Sequence, residues 1–272
     1  MSDDLLKRRH APITDEAWAQ IDDEARRVLE LHLAGRKFVD FDGPHGWEYG
    51  ALNTGRLEHI KDKSNTFVGT AIREVQPLVE LRAPISLPIL ELDYAARGAQ
   101  DLDLDAVIET AEHVAHAEDS AIFYGYKPGR ITGILEASPH KPIELKNALD
   151  WPRALTSAKE TLRQAGVNGP YALVASPDAY DEMIETGEDG YPLRKRIEEN
   201  IINSPIIWAP ALKNGAILVT TRGGDFELSV GQDLSVGYST RDRDNVELYI
   251  TETFTFRVLE DRAAIFVRRG SK

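Results

Sequence analysis

Residues 245–258 read NVELYITETFTFRV, and this stretch predicts one unusually long β-strand. Its apolar side chains occupy alternate positions: Val246, Leu248, Ile250, Phe254 and Phe256. A period of two is typical of a strand that buries one face. At about 3.3 Å per residue the stretch would span roughly 45 Å, whereas an ordinary strand has about 5–6 residues.

A second extended region is predicted at residues 47–93. It has β-type alternation on both sides of a polar tip at 61–65, and later apolar side chains share one face: Val79, Leu81, Ala83, Ile85, Leu87 and Ile89. An isolated two-stranded hairpin is marginal in water and cannot bury its own apolar side chains. We therefore expect the first part of this region to lie on another chain, which indicates an assembly.

Helical patterns occupy much of the remaining chain. Thr14 is a candidate N-cap, with Asp15 and Glu16 in the first turn, where acids suit the helix dipole. This first helix is expected to end at Gly35. Further helices are predicted at 104–118, at 150–166, from 176 onward and at 193–201, and buried strands at 171–175 and 216–221.

The composition places limits on function. The 272 residues suffice for one large or two small domains, and the net charge of −13 disfavours binding to nucleic acid. The absence of cysteine excludes disulfides, zinc–thiolate sites, iron–sulfur clusters and cysteine nucleophiles. No run reaches the ~18 apolar residues of a membrane helix, and the opening MSDDLLKRRHAPIT lacks a signal-peptide core. We therefore expect a cytoplasmic protein with no membrane or nucleic-acid partner.

The common catalytic motifs are missing. The chain contains no GxSxG, HExxH, GxxxxGK[ST] or GxGxxG, so no catalytic residue is predicted. One predicted helix carries Glu109, Glu112, His113 and His116 at spacings that could share a metal, but di-iron bundles use such motifs on paired helices. We expect a solvated helix face there. Loop acids at Asp40, Asp42, Asp101, Asp103 and Asp105 do not match a calcium loop, so no metal site is predicted.

Residues 185–192, ETGEDGYP, form a loop tip by composition. Glu188 and Asp189 lie between Gly187 and Gly190, and Pro192 follows. Glycine gives the backbone freedom and proline ends the preceding structure. On composition alone, the two acids indicate only a solvated turn.

Four stretches resemble encapsulins, the shell proteins of bacterial and archaeal nanocompartments, also known as linocin-like proteins. They are GRKFVDFDGPHGWEYGALNTG at 35–55, GYPLRKRIEENI at 190–201, GGDFELSVGQDLSVGY at 223–238 and LYITETFTFRV at 248–258. The resemblance implies an α+β fold of the tailed-bacteriophage major capsid protein type, with a P-domain, an A-domain and an E-loop.

The resemblance also implies a division of the chain. Residues 1–46 would hold the N-terminal helix and the start of the P-domain, and 47–80 the E-loop, a ribbon that lies on a neighbouring subunit. The P-domain would continue at 81–132, with a spine helix at 102–122, and at 223–272. The A-domain would cover 133–222.

The implied function is structural. Encapsulins self-assemble into an icosahedral shell, here expected to have sixty subunits, around a cargo enzyme such as a ferritin-like protein, which would imply iron storage, or a dye-decolorizing peroxidase. A terminal peptide of the cargo binds the inner face of the shell. The positions of this chain that match that groove are Leu29, Leu33, Arg36, Asp40, Leu234, Val236 and Tyr238. For Leu29 and Leu33 a plain core role remains open.

The resemblance gives the acidic loop tip a role at the five-fold axis. The matching pore positions are Glu185, Thr186, Gly187, Glu188, Asp189, Gly190 and Tyr191. A ring of carboxylates there would favour cations; the alternative is that these side chains lie on the outer surface and serve solubility.

Some encapsulins carry an aromatic residue, associated with flavin, in a strand that matches residues 88–93. Leu90 stands at that position, so no cofactor is expected. Two other functions remain as alternatives, a soluble hydrolase and a secreted bacteriocin of the linocin type. Particle mass distinguishes a shell from either of them.

Overall fold

The computed structural model describes residues 5–60, 67–188 and 191–270, with the backbone only at Glu188. The helices are α1 (Asp15–His32), α2 (Ile89–Ala96), α3 (Asp105–Tyr124), α4 (Ile134–Ala137), α5 (Trp151–Gln164), α6 (Pro177–Glu185) and α7 (Leu193–Ile197). The strands are β1 (Asp40–Asp42), β2 (Ala51–Ile60), β3 (Thr70–Pro77), β4 (Val79–Pro88), β5 (Ile143–Leu145), β6 (Tyr171–Ala175), β7 (Gly187–Glu188), β8 (Tyr191–Pro192), β9 (Ile207–Trp208), β10 (Gly215–Thr220), β11 (Phe226–Val230), β12 (Ser235–Arg241), β13 (Asn245–Val258) and β14 (Ala264–Arg269).

The long strand β13 has the predicted bounds and is the centre of the first sheet. One edge of β13 pairs antiparallel with β4, from Asn245 opposite Pro88 to Phe254 opposite Val79. Its other edge pairs first with β12 and then with β11, and β1 adds to β11 in parallel. The alternating apolar side chains of β13 are buried as predicted, and α1 and α3 cover their first half.

The second sheet has the strand order β5, β14, β10, β6, β9. Strands β6 and β10 are buried along their whole lengths, as their sequences predict, and helices α5 and α6 pack against them. The last strand, β14, pairs with β10 in this sheet. It therefore lies in a different sheet from β13, and nothing in its short apolar sequence indicates which strand it pairs with.

Strands β2 and β3 form a separate antiparallel ribbon. Four apolar side chains of the ribbon are about half exposed: Leu57 at 53%, Ile60 at 47%, Ile72 at 56% and Val75 at 47%. Opposed residues share a face, and so do residues two apart on one strand. Leu57 is opposite Arg73, two residues from Val75, so Leu57 and Val75 lie on one face. Ile60 is opposite Thr70, two residues from Ile72, so Ile60 and Ile72 lie on the other. The ribbon thus exposes apolar groups on both faces. The predicted tip at 61–65 lies outside the described residues.

Most helix predictions are confirmed, with differences at the ends. Thr14 caps α1 through its hydroxyl, and Ser176 caps α6 in the same way. The helix α1 ends at His32, not at Gly35, which instead opens a 3-10 turn (Gly35–Lys37). A Cβ at Gly35 would lie 2.5 Å from Ile122 Cδ1, so the glycine permits close packing against α3 rather than a left-handed cap. The predicted helix at 193–201 is α7 followed by a π-helical turn (Glu198–Ile202).

Residues 89–93 were expected to be extended and are helical. Pro88 ends β4, and α2 then buries Leu92 and Ala95, which are three residues apart on one helix face. The alternation that predicted a strand continues by chance through Ile89 at the junction. Leu90 therefore lies on a helix and is 54% exposed. Helix α3 also runs further than the apolar pattern predicts, to Tyr124. The acids Glu118 and Asp119 interrupt that pattern, but both are buried inside the helix, where Arg36 bonds Glu118 and the Ala34 N–H bonds Asp119.

Candidate functional site

A cavity of about 580 Å³ lies between α1 and β12, and most of the predicted groove residues line it. Leu29, Leu33 and Arg36 contribute from the α1 side, and Leu234 and Val236 from the other side. Its volume falls in the range of about 300–1,000 Å³ that is usual for ligand pockets. The fold thus brings together five positions that are up to 207 residues apart in sequence.

Asp40 and Tyr238, the other two predicted groove residues, do not line this cavity. The Asp40 carboxylate accepts a hydrogen bond from Gly224 N at 2.6 Å, at the turn before β11. The Tyr238 backbone N–H donates to the Leu6 carbonyl at 2.8 Å. The Asp40 side chain is thus used in a local contact, whereas Tyr238 uses only its backbone to bond Leu6. No pattern in the sequence indicates the pairing of Tyr238 with Leu6.

The lining residues differ in how deeply they are buried. Leu33 and Val236 are 6% and 5% exposed, so they also belong to the apolar core. Leu29 and Leu234 are only partly buried and present apolar surface to the cavity. The best candidates for contact with a bound molecule are therefore Leu29 and Leu234.

The N-terminal segment forms part of the cavity wall, although none of its residues is among the predicted groove positions. Leu6 and Arg8 line the cavity, and the Arg8 guanidinium donates two hydrogen bonds, of 3.1 and 2.6 Å, to the Asp22 carboxylate on α1. The same guanidinium lies 4.0 Å from the centre of the Trp18 ring. Trp18 and Asp22 are four residues apart on one helix face, which is the only sequence signal that could have suggested this contact.

β12 presents main-chain groups toward this wall. The Tyr238 N–H points away from β13 to reach Leu6. In an antiparallel strand residues two apart direct their main-chain groups to the same side, so the N–H and C=O of Val236 also face that edge. Such an edge can pair with an added extended segment.

Arg36 borders the cavity but is held by three carboxylates. Its Nε lies 3.0 Å from both oxygens of Glu118, its Nη1 lies 2.9 Å from Asp233, and its Nη2 lies 2.5 Å from Glu252 Oε1. Glu118 and Glu252 are fully buried, and the Arg36 side chain is 19% exposed. The resemblance predicts that Arg36 helps to hold a peptide, and in the single chain these bonds already engage its guanidinium.

The electrostatics of this Arg36 cluster are unusual. Burial lowers the pKa of Arg36, but the charges of Glu118, Glu252 and Asp233 outweigh it and raise that pKa. Burial, and then the charge of Glu118, raise the pKa of Glu252 well above its usual value. Burial, and then the charge of Glu118, also raise the pKa of Asp119, to about 7. The hydrogen bonds that Asp119 accepts from the backbone N–H groups of Gly35 and Ala34 lower this pKa but do not outweigh the burial.

The predicted pore positions follow α6. Glu185 is the last residue of α6, and the Thr186 N–H donates to the Glu182 carbonyl. A short hairpin then pairs Gly187 with Pro192 and Glu188 with Tyr191. The Tyr191 hydroxyl donates to Glu199 at 2.5 Å. Asp189 and Gly190 lie outside the described residues.

The acid and histidine positions on α3 are exposed, as predicted for a solvated face: Glu109, Glu112, His113 and His116. His32 on α1 approaches this face, with Nε2 3.6 Å from Glu112 Oε1. Across the described ranges 5–60, 67–188 and 191–270, no group of three or more histidine, aspartate or glutamate side chains is arranged so that it could hold a metal ion. Among the helices in those ranges, none combines the length and apolar character needed to cross a bilayer.

Comparisons with known proteins agree on the family. The family described as "Encapsulating protein for peroxidase" matches residues 3–255. The type 1 encapsulin shell protein of Rhodospirillum rubrum is 45% identical over 270 residues, covering 97% of this chain and 96% of the relative.

Solved structures agree on the fold. The virus-like particle protein of Pyrococcus furiosus aligns over 93% of this chain and all of its own, with a TM-score of 0.67 at 16% identity. The capsid of the Myoviridae phage XM1 aligns over 88% of this chain and 92% of its own, with a TM-score of 0.54 at 12% identity. The predicted α+β capsid-like fold is confirmed, and the chain belongs to the type 1 encapsulin shell protein family.

Proposed function

We propose that this chain self-assembles into a closed icosahedral shell of sixty copies that encloses a cargo enzyme and performs no catalysis itself. The observation that carries the proposal is the β2–β3 ribbon, whose two faces both expose apolar side chains in the single chain. Family membership supports the same conclusion, because relatives at 41–45% identity are named shell proteins. Those names disfavour the hydrolase and bacteriocin alternatives.

The ribbon is suited to an inter-subunit contact, as expected of an E-loop. Complete burial of a leucine, isoleucine or valine side chain contributes about 1.5–3 kcal/mol. Leu57, Ile60, Ile72 and Val75 are about half exposed, so a neighbouring chain that covered the ribbon would gain part of that amount at each. Repetition of this contact in every copy would favour a closed assembly.

Deletion of residues 56–70 tests the role of the ribbon. We expect the deletion variant to remain small, while the wild type forms particles of about 1.8 MDa from sixty chains of 30.3 kDa. A double substitution, Leu57→Asp with Ile72→Asp, should have the same effect, because it places a charge on each apolar face. Glu58→Gln with His59→Gln is the matched control on β2 and should assemble normally.

Light scattering and electron microscopy give the particle mass and shape. Intact shells from both the deletion and the double aspartate variant would show that the ribbon is not an essential contact. A wild-type protein of 30.3 kDa that stayed a monomer or small oligomer would remove the shell proposal itself.

We further propose that the cavity between α1 and β12 binds the cargo's terminal peptide. Its partly buried leucines, Leu29 and Leu234, would take apolar side chains of the peptide. The peptide would lie extended along β12, where the main-chain groups of Val236 face the edge, a recognised mode of peptide binding. Register would come from this edge, because Arg36 is engaged by Glu118, Glu252 and Asp233. Arg8 and Asp22 are likewise engaged by each other.

For the cargo we propose an oxidoreductase, located with its shell in the cytoplasm. The family description names a peroxidase, which favours a dye-decolorizing peroxidase. A ferritin-like enzyme, and with it iron storage, is the second candidate, because the acids of the 185–191 loop would favour the entry of cations if they surround a five-fold pore. In the same scheme residues 47–80 are the E-loop and 133–222 the A-domain. The N-terminal helix and the start of the P-domain lie at 1–46, and the P-domain continues at 81–132 and 223–272.

A further inference from the structure

The Arg36 cluster has more carboxyl groups than its single cation can balance. Three carboxylates, from Glu118, Glu252 and Asp233, contact one guanidinium. If all three were ionised, two negative charges would remain uncompensated at a site where both glutamates are fully buried. Burial of uncompensated charge is strongly unfavourable, and carboxylates that share a site do not all ionise together.

The hydrogen bonds identify the carboxylate that is least satisfied. Glu118 has both oxygens bonded to Arg36, and Asp233 is 38% exposed and also accepts from Leu234 N. Glu252 receives one bond on Oε1, and its buried Oε2 has no hydrogen-bond partner among the described residues. Glu252 is therefore the group for which a neutral, protonated form is most favourable.

In the part of the chain that the structure describes, Arg36 is the one cation that acts on Glu252. The charged groups around it are Glu118 of α3, Arg36 of the 3-10 turn and Asp233 of the segment before β12, and its partner on β4 is the uncharged Leu81. The adjacent Asp119 faces Glu118 and Lys37 and accepts the N–H groups of Ala34 and Gly35, each at 2.8 Å. The cluster thus joins the end of α1 to α3 and β13.

We propose that the Arg36 cluster is a proton-dependent clasp, in which one proton held on Glu252 lets Arg36 and the carboxyl groups around it hold the end of α1 against α3 and β13. Loss of that proton adds a buried negative charge beside Arg36 that has no second cation to balance it, and loosens the turn at 34–37. Because Arg36 and Asp233 also line the cavity, loosening changes one of its walls.

The direction of the pH dependence follows from the burial of Glu252. Its pKa in the folded chain lies above the usual value of 4.5. A carboxyl group whose pKa is higher in the folded than in the unfolded chain stabilises the fold. That stabilisation is complete at pH values below the pKa of the unfolded chain, and it is lost as the pH rises through the pKa of the folded chain. The pKa of Asp119 is also raised, to about 7, so its ionisation has an effect in the same direction. The clasp should therefore weaken from mildly acidic toward alkaline pH.

Hydrogen exchange of the assembled protein tests the clasp at the amides of Ala34 and Gly35. After correction for intrinsic exchange rates, their protection should fall at least about tenfold between about pH 6 and about pH 9 in the wild type. Glu252→Gln cannot ionise and can donate its amide to Glu118, so the fall in its protection should be at least about threefold smaller than in the wild type, and the remaining pH dependence is that of Asp119. Glu109→Gln, an exposed position on the same helix as Glu118, should behave as the wild type. Equal pH dependence in wild type and Glu252→Gln, or none in the wild type, would overturn the proposal.

A second measurement needs no substitution at the cluster. Infrared spectra of wild-type protein labelled with ¹³C at the glutamate carboxyl carbons should show, near neutral pH, a band of a protonated carboxyl group that moves with the label. The isotope distinguishes glutamate from Asp119. Absence of such a band would show that no glutamate holds a proton, and the clasp would be rejected even if Glu252→Gln did not fold.

Discussion

At the residue scale, Arg36 connects three parts of the chain through its side chain alone. It contacts Glu118 on α3, Glu252 on β13 and Asp233 before β12, while its backbone belongs to the turn after α1. Its guanidinium is planar with five donors, which suits several carboxylates at once. The geometry depends on that shape, because a lysine ammonium at this position would lack the two-pronged contact with Glu118.

Replacement of Arg36 by leucine should destabilise the chain strongly. The change leaves Glu118 and Glu252 buried without a cation, and the loss of one member of a buried ion pair costs about 3–5 kcal/mol. Urea-induced unfolding near neutral pH measures the loss. Arg26→Leu on α1 is the control, since solvent screens its ion pair with Asp23, whose partners are 64% and 75% exposed. Equal losses in both variants would contradict the assigned role of Arg36.

At the scale of elements, α1 and β12 enclose the cavity, and one pair of substitutions can separate binding from folding. Leu29→Asp with Leu234→Asp changes partly buried side chains at the cavity, so we expect shells that assemble but contain little cargo. Leu31→Asp is the control, because Leu31 is 51% exposed on the same helix and does not line the cavity. The more deeply buried Leu33 and Val236 are unsuitable, since charges there would disturb the core.

The measurement is the amount of protein enclosed per shell, after expression of each variant in the native source beside its own cargo. Cargo loading in the double variant equal to that of Leu31→Asp would exclude the cavity as the cargo site. Failure of the double variant to assemble would mean that Leu29 and Leu234 serve the core.

In this chain, helices and strands with strong local patterns can be predicted from the sequence. The elements against which they pair or pack cannot. The period of two in β13, the caps Thr14 and Ser176, and the apolar run of β6 each depend on neighbouring residues alone. Helix α2 was missed because its eight residues follow directly on a strand whose alternation continues into them. The pairing of β14 with β10 and the contact of Leu6 with Tyr238 depend on distant parts of the chain.

The candidate site shows the same limit. The family resemblance identified five of the positions around the cavity, whereas Arg8 and Asp22 were missed because their contact forms only when the N-terminal segment folds back on α1. The carboxylates around Arg36 come from residues 118, 233 and 252. No local pattern in the sequence joins those three positions.

At the scale of the whole molecule, the proposed five-fold arrangement would repeat the acids of the 185–191 loop five times around one opening. Such a ring should admit cations and slow anions. We expect Glu188→Gln with Asp189→Asn to slow cation entry into purified shells at low salt, where screening is weakest. Crowded carboxylates raise one another's pKa, so the wild-type preference should weaken at low pH.

The control for the pore is the pair Glu109→Gln and Glu112→Gln, which removes the same charge from α3. Entry is followed with a metal-sensitive dye enclosed in the shells. If the loop variant and the control admit cations at equal rates, the loop acids lie elsewhere on the surface and do not form the entrance.

The ribbon has a mechanical consequence for the assembled particle. Strand β3 ends at Pro77 and β4 begins at Val79, so only Leu78 separates the ribbon from the first sheet. A displacement imposed on the ribbon by a neighbouring chain therefore reaches β4 without a flexible linker to absorb it. The β4–β13 ladder, from Val79 opposite Phe254 to Pro88 opposite Asn245, would then distribute the load along the whole of β4 and onto residues 245–254 of β13. In a shell under internal pressure, β13 would carry the pulling force that passes from each copy to the next.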